Sequence, residues 1–254
     1  MADFPYFRIN TRLFCTEFHG GAVLITWSAV SNKKLIAQLA ISIIVMAAIS
    51  GCAGDMATDK VKQLESVQVR EYQGEKLSSI SDFHENSIRG PQNVSIDTYK
   101  LKVTGLVQKP LSFTYAEAIE THANYKKLLT LDCVEGWSVK LLWEGILVND
   151  LLKEAGIQPG AKIVIFHAQD GYTTSLPLQY ILDKNLLLAH KINDVTLPPE
   201  RGFPFQLVAE DKWGYKWIKW VTEIELSDDV NFKGYWEKAG YSNDASLDKP
   251  FFDR

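Results

Sequence analysis

The residues best equipped for chemistry lie in one stretch, Leu128–Gly145, which reads LLTLDCVEGWSVKLLWEG. Cys133 offers a thiol, Glu135 a carboxylate two positions on, and Trp137 and Trp143 offer indoles that could exclude water. A thiolate is a soft donor, suited to a soft metal centre or to nucleophilic attack. Gly136 leaves room for something bulky to approach the backbone. The same sulfur could instead be a packed side chain, because unpaired cysteine is among the residue types most often buried.

The elements around this stretch must position it. Leu128–Leu131 is a short apolar run that predicts a buried strand, with Cys133 at its C-terminal end, where the backbone leaves the sheet. Tyr99–Val107 alternates as a half-buried strand does. Thr114 and Glu117 form a capping box for a short helix over Thr114–Ala123. Val148–Ala155 has helical spacing and stops at Gly156. Lys162–Ala168 and Tyr172–Leu176 read as strands about an Asp170-Gly171 turn, followed by a one- to two-turn helix, Leu178–Asp183. Leu186–His190 and Gln206–Ala209 read as strands flanking a proline-bearing loop, and Trp217–Leu226 as the last clear strand. The aromatic tail, Lys233–Tyr241, is expected to pack over the rim. Short strands and helices in irregular order predict an α+β domain. His167, inside a strand, is expected to be packed or hydrogen-bonded, as no histidine pair has metal-ligand spacing.

Composition sets the outer bounds. The 254-residue chain is 46% hydrophobic and 23% charged, which is globular rather than disordered. A net charge of -4 argues against nucleic acid as the main partner. There is no dinucleotide-binding or P-loop glycine pattern and no haem-attachment motif. Met1–Ser31 lacks periodicity, and Met1–Ala29 of it is expected to be an over-extended start, with Val30 at a non-ATG initiation codon. Residues 32–51 read as a signal peptide: Asn32-Lys33-Lys34, an apolar Leu35–Ser50 too short for a comfortable membrane span, and then Ile49-Ser50-Gly51-Cys52. That ending resembles a bacterial lipobox, so Cys52 is expected to be lipidated and the protein anchored on the extracytoplasmic (periplasmic) side of a membrane. Residues 52–81 read as a polar tether and 82–254 as the folded domain. With Cys15 removed and Cys52 acylated, Cys133 would stand alone in an oxidising compartment, which favours an occupied thiol.

Several motifs, in order, carry a resemblance. They are Asp132-Cys133-Val134-Glu135-Gly136-Trp137, Trp143-Glu144-Gly145, Asp170-Gly171-Tyr172, Gly202–Val208 (GFPFQLV), Trp213–Trp220 (WGYKWIKW) and Gly234-Tyr235-Trp236. Together they resemble the molybdopterin-binding domain of the sulfite oxidase family, and most of all its small bacterial branch. The resemblance implies a molybdenum held by a pyranopterin dithiolene, with Cys133 as the one protein ligand and Glu135 as an acid beside it. It also implies cofactor contacts from Asn86, Arg89, Arg201 and Gln206, and a phosphate grip from Trp217, Ile218 and Lys219. The sequence departs from the family pattern at Arg201, often Asn or His, and at Gln206, commonly Arg. Ala168 stands in place of a threonine, and Lys33-Lys34 in place of a twin arginine.

The activity so implied is two-electron oxygen-atom transfer on a small oxyanion or sulfoxide. Electrons would be exchanged with a separate partner, a cytochrome or a membrane quinone protein. From another class, a cofactor-free lipoprotein using the fold as a binding or assembly module would fit the Gln206 and Lys33-Lys34 departures. A cysteine-nucleophile hydrolase would require a histidine base that the sequence does not place.

Overall fold

The structure is a computed structural model that describes residues 61–253. The expected signal peptide, Cys52 and the first part of the tether lie outside the described residues. Among the described residues no helix is long and apolar enough to cross a membrane.

Strands and short helices mix as an α+β domain. After a small hairpin, β1 (Glu71–Tyr72) and β2 (Glu75–Lys76), come β3 (Leu101–Gly105), β4 (Leu111–Phe113) and helix α1 (Tyr115–Thr121). Next are β5 (Asn124–Asp132), β6 (Ser138–Leu147), α2 (Val148–Ala155), β7 (Ile163–Ala168), β8 (Thr173–Pro177) and α3 (Leu178–Lys184). The chain continues through β9 (Leu187–Ile192), β10 (Val195–Thr196), β11 (Gln206–Val208), β12 (Val221–Ser227) and α4 (Tyr235–Lys238). One sheet runs β10-β9-β6-β5 with β11 also on β9, and the other runs β4-β3-β12-β7-β8. In the second sheet β12 lies parallel to β3, and its other neighbour, β7, is antiparallel.

Local chemistry explains the element ends. The Glu117 amide donates to the Thr114 hydroxyl at 3.1 Å and the Thr114 amide to the Glu117 carboxylate at 2.6 Å, which completes the capping box. Helix α2 ends where Gly156 takes φ 73° and its N–H bonds the carbonyls of Leu152 and Lys153. One apolar cluster draws on both sheets, through Val103, Phe166 and Ile224 from one and Leu141, Trp143 and Leu188 from the other. Each such side chain contributes about 1.5–3 kcal/mol on burial. His167 accepts its expected role, 2.8 Å from the Glu225 carboxylate.

Two expectations are corrected. The final strand begins at Val221, not Trp217. Residues 214–216 form a 3-10 turn and Trp220 takes φ 52°, so the chain bends away from the sheet before pairing starts. The polar tether is also shorter than expected, because residues 61–81 already pack on the domain. Ile80 and Leu77 are buried, and Gln68 forms a polar node. Its side-chain amide donates to the Ser79 hydroxyl at 2.6 Å, and its oxygen accepts from the Ile80 backbone and the Asn193 side chain, each at 3.0 Å. These bonds hold a polar segment in place without an apolar stripe, so no periodicity announced them.

Gly145 marks the closest approach of β6 to β9. A Cβ there would lie 2.2 Å from the Leu188 carbonyl oxygen and 2.6 Å from the Ala189 Cα, both backbone atoms. Gly145→Ala is therefore expected to cost about 2–3 kcal/mol as overpacking. Calorimetry should show that as a melting temperature lower by roughly 5–10 °C in a domain of this size. An unchanged melting temperature would contradict the β6–β9 pairing.

Candidate active site

Strand β5 ends at Asp132 and β6 begins at Ser138, and the five residues between them form a tight turn. The Cys133 amide donates to the Trp137 carbonyl at 2.9 Å and the Gly136 amide to the Cys133 carbonyl at 3.0 Å, with Gly136 at φ 88°. Gly214 backs this turn, where a Cβ would lie 3.2 Å from the Asp132 carbonyl and 3.5 Å from the Cys133 Cα. The thiol is thereby fixed half-buried, and it is free. Burial pushes its pKa up, the Glu135 backbone N–H opposes this, and the charge of Glu135 adds to it. The Asn86 amide also points a donor at the sulfur, 3.9 Å away. Glu135 is exposed and accepts from the Trp137 indole at 3.1 Å. The neighbouring Asn86 amide, and then that indole, hold its carboxyl below the usual range.

Cys133 opens on a cavity of about 340 Å³. The turn supplies Cys133, Glu135 and Trp137 to its wall, and the 83–88 segment supplies Glu85 and Asn86. The loop before β11 supplies Glu200 and Arg201, β11 itself Gln206, and the bend before β12 Trp217, Ile218 and Lys219. Tyr172, Tyr215 and Trp236 form an aromatic side, fixed by hydrogen bonds from the Tyr172 hydroxyl to the Tyr215 carbonyl and from the Tyr215 hydroxyl to the Ser242 carbonyl. Of the expected site residues, only Arg89 is away from this wall. It is exposed, with its guanidinium 4.0 Å from where a Gly171 Cβ would be. Ala168, at the end of β7, is buried.

The cavity wall also carries a buried cation. The Lys219 ammonium meets the Glu85 carboxylate at 2.5 Å and lies 4.5 Å from the centre of the Trp220 ring. Burial pulls its pKa down and Glu85 opposes that. Among the described residues the Ile218 and Lys219 amides have no hydrogen-bond acceptor. A cation beside free N–H groups suits a phosphate. Gly202, at φ 94°, makes room for this lysine, since a Cβ there would come within 3.0 Å of its stem.

Arg201 lines the cavity and also anchors a distant segment. It is buried against Phe83, 3.7 Å from the ring centre, and donates to the carbonyls of Ile80 at 2.9 Å and Phe83 at 2.6 Å. It thus holds the 80–88 segment over the thiol, where Phe83 and His84 pack on Trp137. The sequence reading missed Glu85 and Glu200 altogether. Each adjoins a residue it did select, Asn86 and Arg201, and that adjacency was the available signal.

Among the described residues no three His, Cys, Asp or Glu side chains cluster to hold a bare metal ion. A metal at Cys133 would therefore have to bring most of its ligands with it, as a dithiolene cofactor does. The orphaned polar atoms fit such a group. Ser87 Oγ, both Glu200 carboxylate oxygens and Gln206 Oε1 are buried without a partner, and all three residues line this cavity. The residues present thus offer a sulfur, a phosphate-binding end and polar groups awaiting a ligand.

A thiol beside a phosphate-binding cation and free amides fits a domain that holds a sulfur-ligated cofactor. The family model described as "Oxidoreductase molybdopterin binding domain" matches residues 88–236, more than half of the chain, and the chain belongs to that family. It is 34% identical over 152 residues to the uncharacterized oxidoreductase YuiH of Bacillus subtilis, covering 59% of this chain and 76% of that one. It is 32% identical over 147 residues to the protein-methionine-sulfoxide reductase catalytic subunit MsrP of Gluconobacter oxydans, covering 51% of this chain and 47% of the relative. The chain thus spans about half the length of that reductase. The sulfane dehydrogenase SoxCD of Paracoccus pantotrophus shares the fold, with a TM-score of 0.53 at 23% identity over 68% of this chain and 53% of that one. The protein is a molybdopterin-binding oxidoreductase of the sulfite oxidase-like fold.

Only the thiolate of Cys133 reacts with an alkylating agent. A raised pKa leaves less thiolate at any given pH, so the rate profile moves to the alkaline side. In cofactor-free protein, the midpoint for iodoacetamide is expected above the ordinary thiol value of about 8.5. Asn86→Leu, which removes the donor aimed at the sulfur, should move it higher still. A midpoint at or below that of an exposed thiol would contradict the half-buried site.

Proposed function

We propose that this domain carries out two-electron oxygen-atom transfer on a small sulfoxide or oxyanion, exchanging electrons with a separate partner. The observation that carries the reading is the Cys133 thiol on a cavity whose wall also offers Lys219 and free amides for a phosphate. Bound there, molybdenum supplies the redox chemistry and the protein supplies position and electrostatics. Cys133 would be the protein's ligand to it. Asn86, Gln206, the Trp217–Lys219 backbone and the Lys219 ammonium would hold the pterin and its phosphate. Arg201 would act mainly by fixing the segment that carries Asn86.

Reducing a sulfoxide consumes two electrons and two protons and releases water, so a proton route must reach the cavity. Glu135, exposed and held ionised at neutral pH, stands at the mouth to relay those protons. Trp137 and the aromatic side formed by Tyr172 and Trp236 limit bulk water near the thiol. The sulfoxide alternative is supported by the relatives whose names describe methionine-sulfoxide reductases. No haem-attachment motif occurs in the sequence, so a cytochrome or membrane quinone protein is the partner expected. The lipobox pattern ending at Cys52 supports an extracytoplasmic, membrane-anchored site of action, a short tether away from the lipid.

Two measurements test this reading. Cys133→Ser keeps the volume but substitutes a harder, far less acidic donor. Sulfoxide reduction with a reduced dye as donor should be lost, while the melting temperature stays within a few degrees of wild type. A Cys133→Ser protein that keeps both molybdenum and turnover would refute the reading. Separately, Cys52→Ala should block lipidation and leave unprocessed precursor. Normal maturation of that variant, unaffected by globomycin, would exclude the lipid anchor.

A further inference from the structure

One edge of the cavity opens onto an aromatic patch that the fold leaves uncovered. Tyr235, Trp236 and Phe252 are 45%, 37% and 46% exposed. They are contiguous: ring centres run from Tyr235 to Trp236 at 5.3 Å, on to Tyr241 at 5.3 Å, and from there to Phe252 at 4.5 Å. Trp236 and Tyr241 also line the cavity that holds Cys133, so the patch continues its wall outward. Single exposed rings are ordinary, but a connected set of them marks a binding surface. The patch is also rigidly based. Glu237, the residue after Trp236, is buried and accepts from the Lys216 ammonium at 2.5 Å and the Thr174 hydroxyl at 2.6 Å. Gly234 lies against β8, where a Cβ would come 2.2 Å from the Thr173 carbonyl oxygen. The Ser242 amide donates to the Phe251 carbonyl at 2.9 Å and the Asp253 amide to the Gly240 carbonyl at 3.2 Å, which fixes Phe252 beside Tyr241. Rings held this way lose little freedom when a ligand packs on them.

The charges of the cavity bear on what such a ligand carries. Its wall has four carboxylates, Glu85, Glu135, Asp170 and Glu200, against two permanent cations, Arg201 and Lys219. Both cations are engaged, Arg201 by the carbonyls of Ile80 and Phe83 and Lys219 by Glu85. His84, the other basic side chain on the wall, stacks on Trp137 close to the Glu135 carboxylate. No cation is left for a substrate anion, and the excess of carboxylates repels one. A sulfoxide is neutral and can bear an apolar flank. Resting on the oxygen-atom-transfer reading above, we propose that Trp236 and Tyr241, extended outward by Tyr235 and Phe252, form a substrate subsite that packs against an aromatic or large apolar group attached to a neutral sulfoxide. The sulfoxide enters the cavity while its flank rests on the rings. Continuity of the patch with the cavity wall favours a substrate over a membrane, because a bound membrane has no need to reach the cavity.

The test uses the cofactor-loaded full chain with a reduced dye as electron donor. It compares kcat/KM for methyl phenyl sulfoxide, dimethyl sulfoxide and nitrate. Wild type should favour methyl phenyl sulfoxide over dimethyl sulfoxide, mainly through a lower KM, and should use nitrate least. Trp236→Ala should shrink the phenyl-to-dimethyl ratio about fivefold or more, as expected for a lost aromatic pair together with its buried area. Trp236→Phe, which keeps a ring, should retain most of that ratio. Because the readout is a ratio, a variant that merely loads less cofactor lowers both sulfoxides alike and leaves it unchanged. The same ratio in wild type and Trp236→Ala, or a higher kcat/KM for nitrate than for either sulfoxide, would overturn the subsite and leave the oxygen-atom-transfer reading standing. An unchanged ratio accompanied by lost binding to phospholipid vesicles would give the rings to the membrane instead. Molybdenum-loaded wild type that turns over neither sulfoxide nor nitrate would overturn both.

Discussion

A guanidinium taken out of water must be given acceptors at once, and Arg201 is given the carbonyls of Ile80 and Phe83 and the face of the Phe83 ring. Burial lowers its pKa to about 10, so it remains charged throughout the physiological range. That buried cation ties the loop before β11 to a segment more than a hundred residues earlier in the chain. The tie closes one side of the cavity. Residues 83–88 are brought over the Cys133 turn, where Asn86 reaches the sulfur and Glu85 reaches Lys219. Loss of either partner would leave a buried charge or buried carbonyls without hydrogen bonds, which is why the arrangement is held firmly.

The other side of the cavity is held by a second buried charge system. Lys216 and Glu237 are both fully buried and pair at 2.5 Å, with the Ser175 carbonyl and Asn243 completing the ammonium's partners. Each member adjoins cavity residues in sequence, Lys216 between Tyr215 and Trp217 and Glu237 directly after Trp236. Lys216, in the 3-10 turn just before the predicted strand, is tied by this pair to a carboxylate on α4.

Much of the frame was legible in the sequence because its signals are local. Thr114 and Glu117 announce a capping box, Gly156 a helix end, and the run before Cys133 a strand that delivers a thiol to a loop. What was not legible depends on contacts distant in sequence. The 61–81 segment looks polar because it is anchored by Gln68 and Asn193 rather than by an apolar stripe. Arg201 was placed on the cofactor by resemblance, yet most of its hydrogen bonding goes to the backbone of the 80–88 segment. The clustering of Glu200, Gln206 and Lys219 about Gly202 follows from a bend at Trp220 that no periodicity contains.

The central claim is that Cys133 is the protein's ligand to molybdenum, and the most direct measurement is X-ray absorption at the molybdenum edge. Wild type and Cys133→Ala, each produced with cofactor, would be compared for the number of sulfur scatterers around the metal. The account predicts that the variant has one sulfur fewer than wild type, while the dithiolene sulfurs persist. The same sulfur count in both proteins would contradict it.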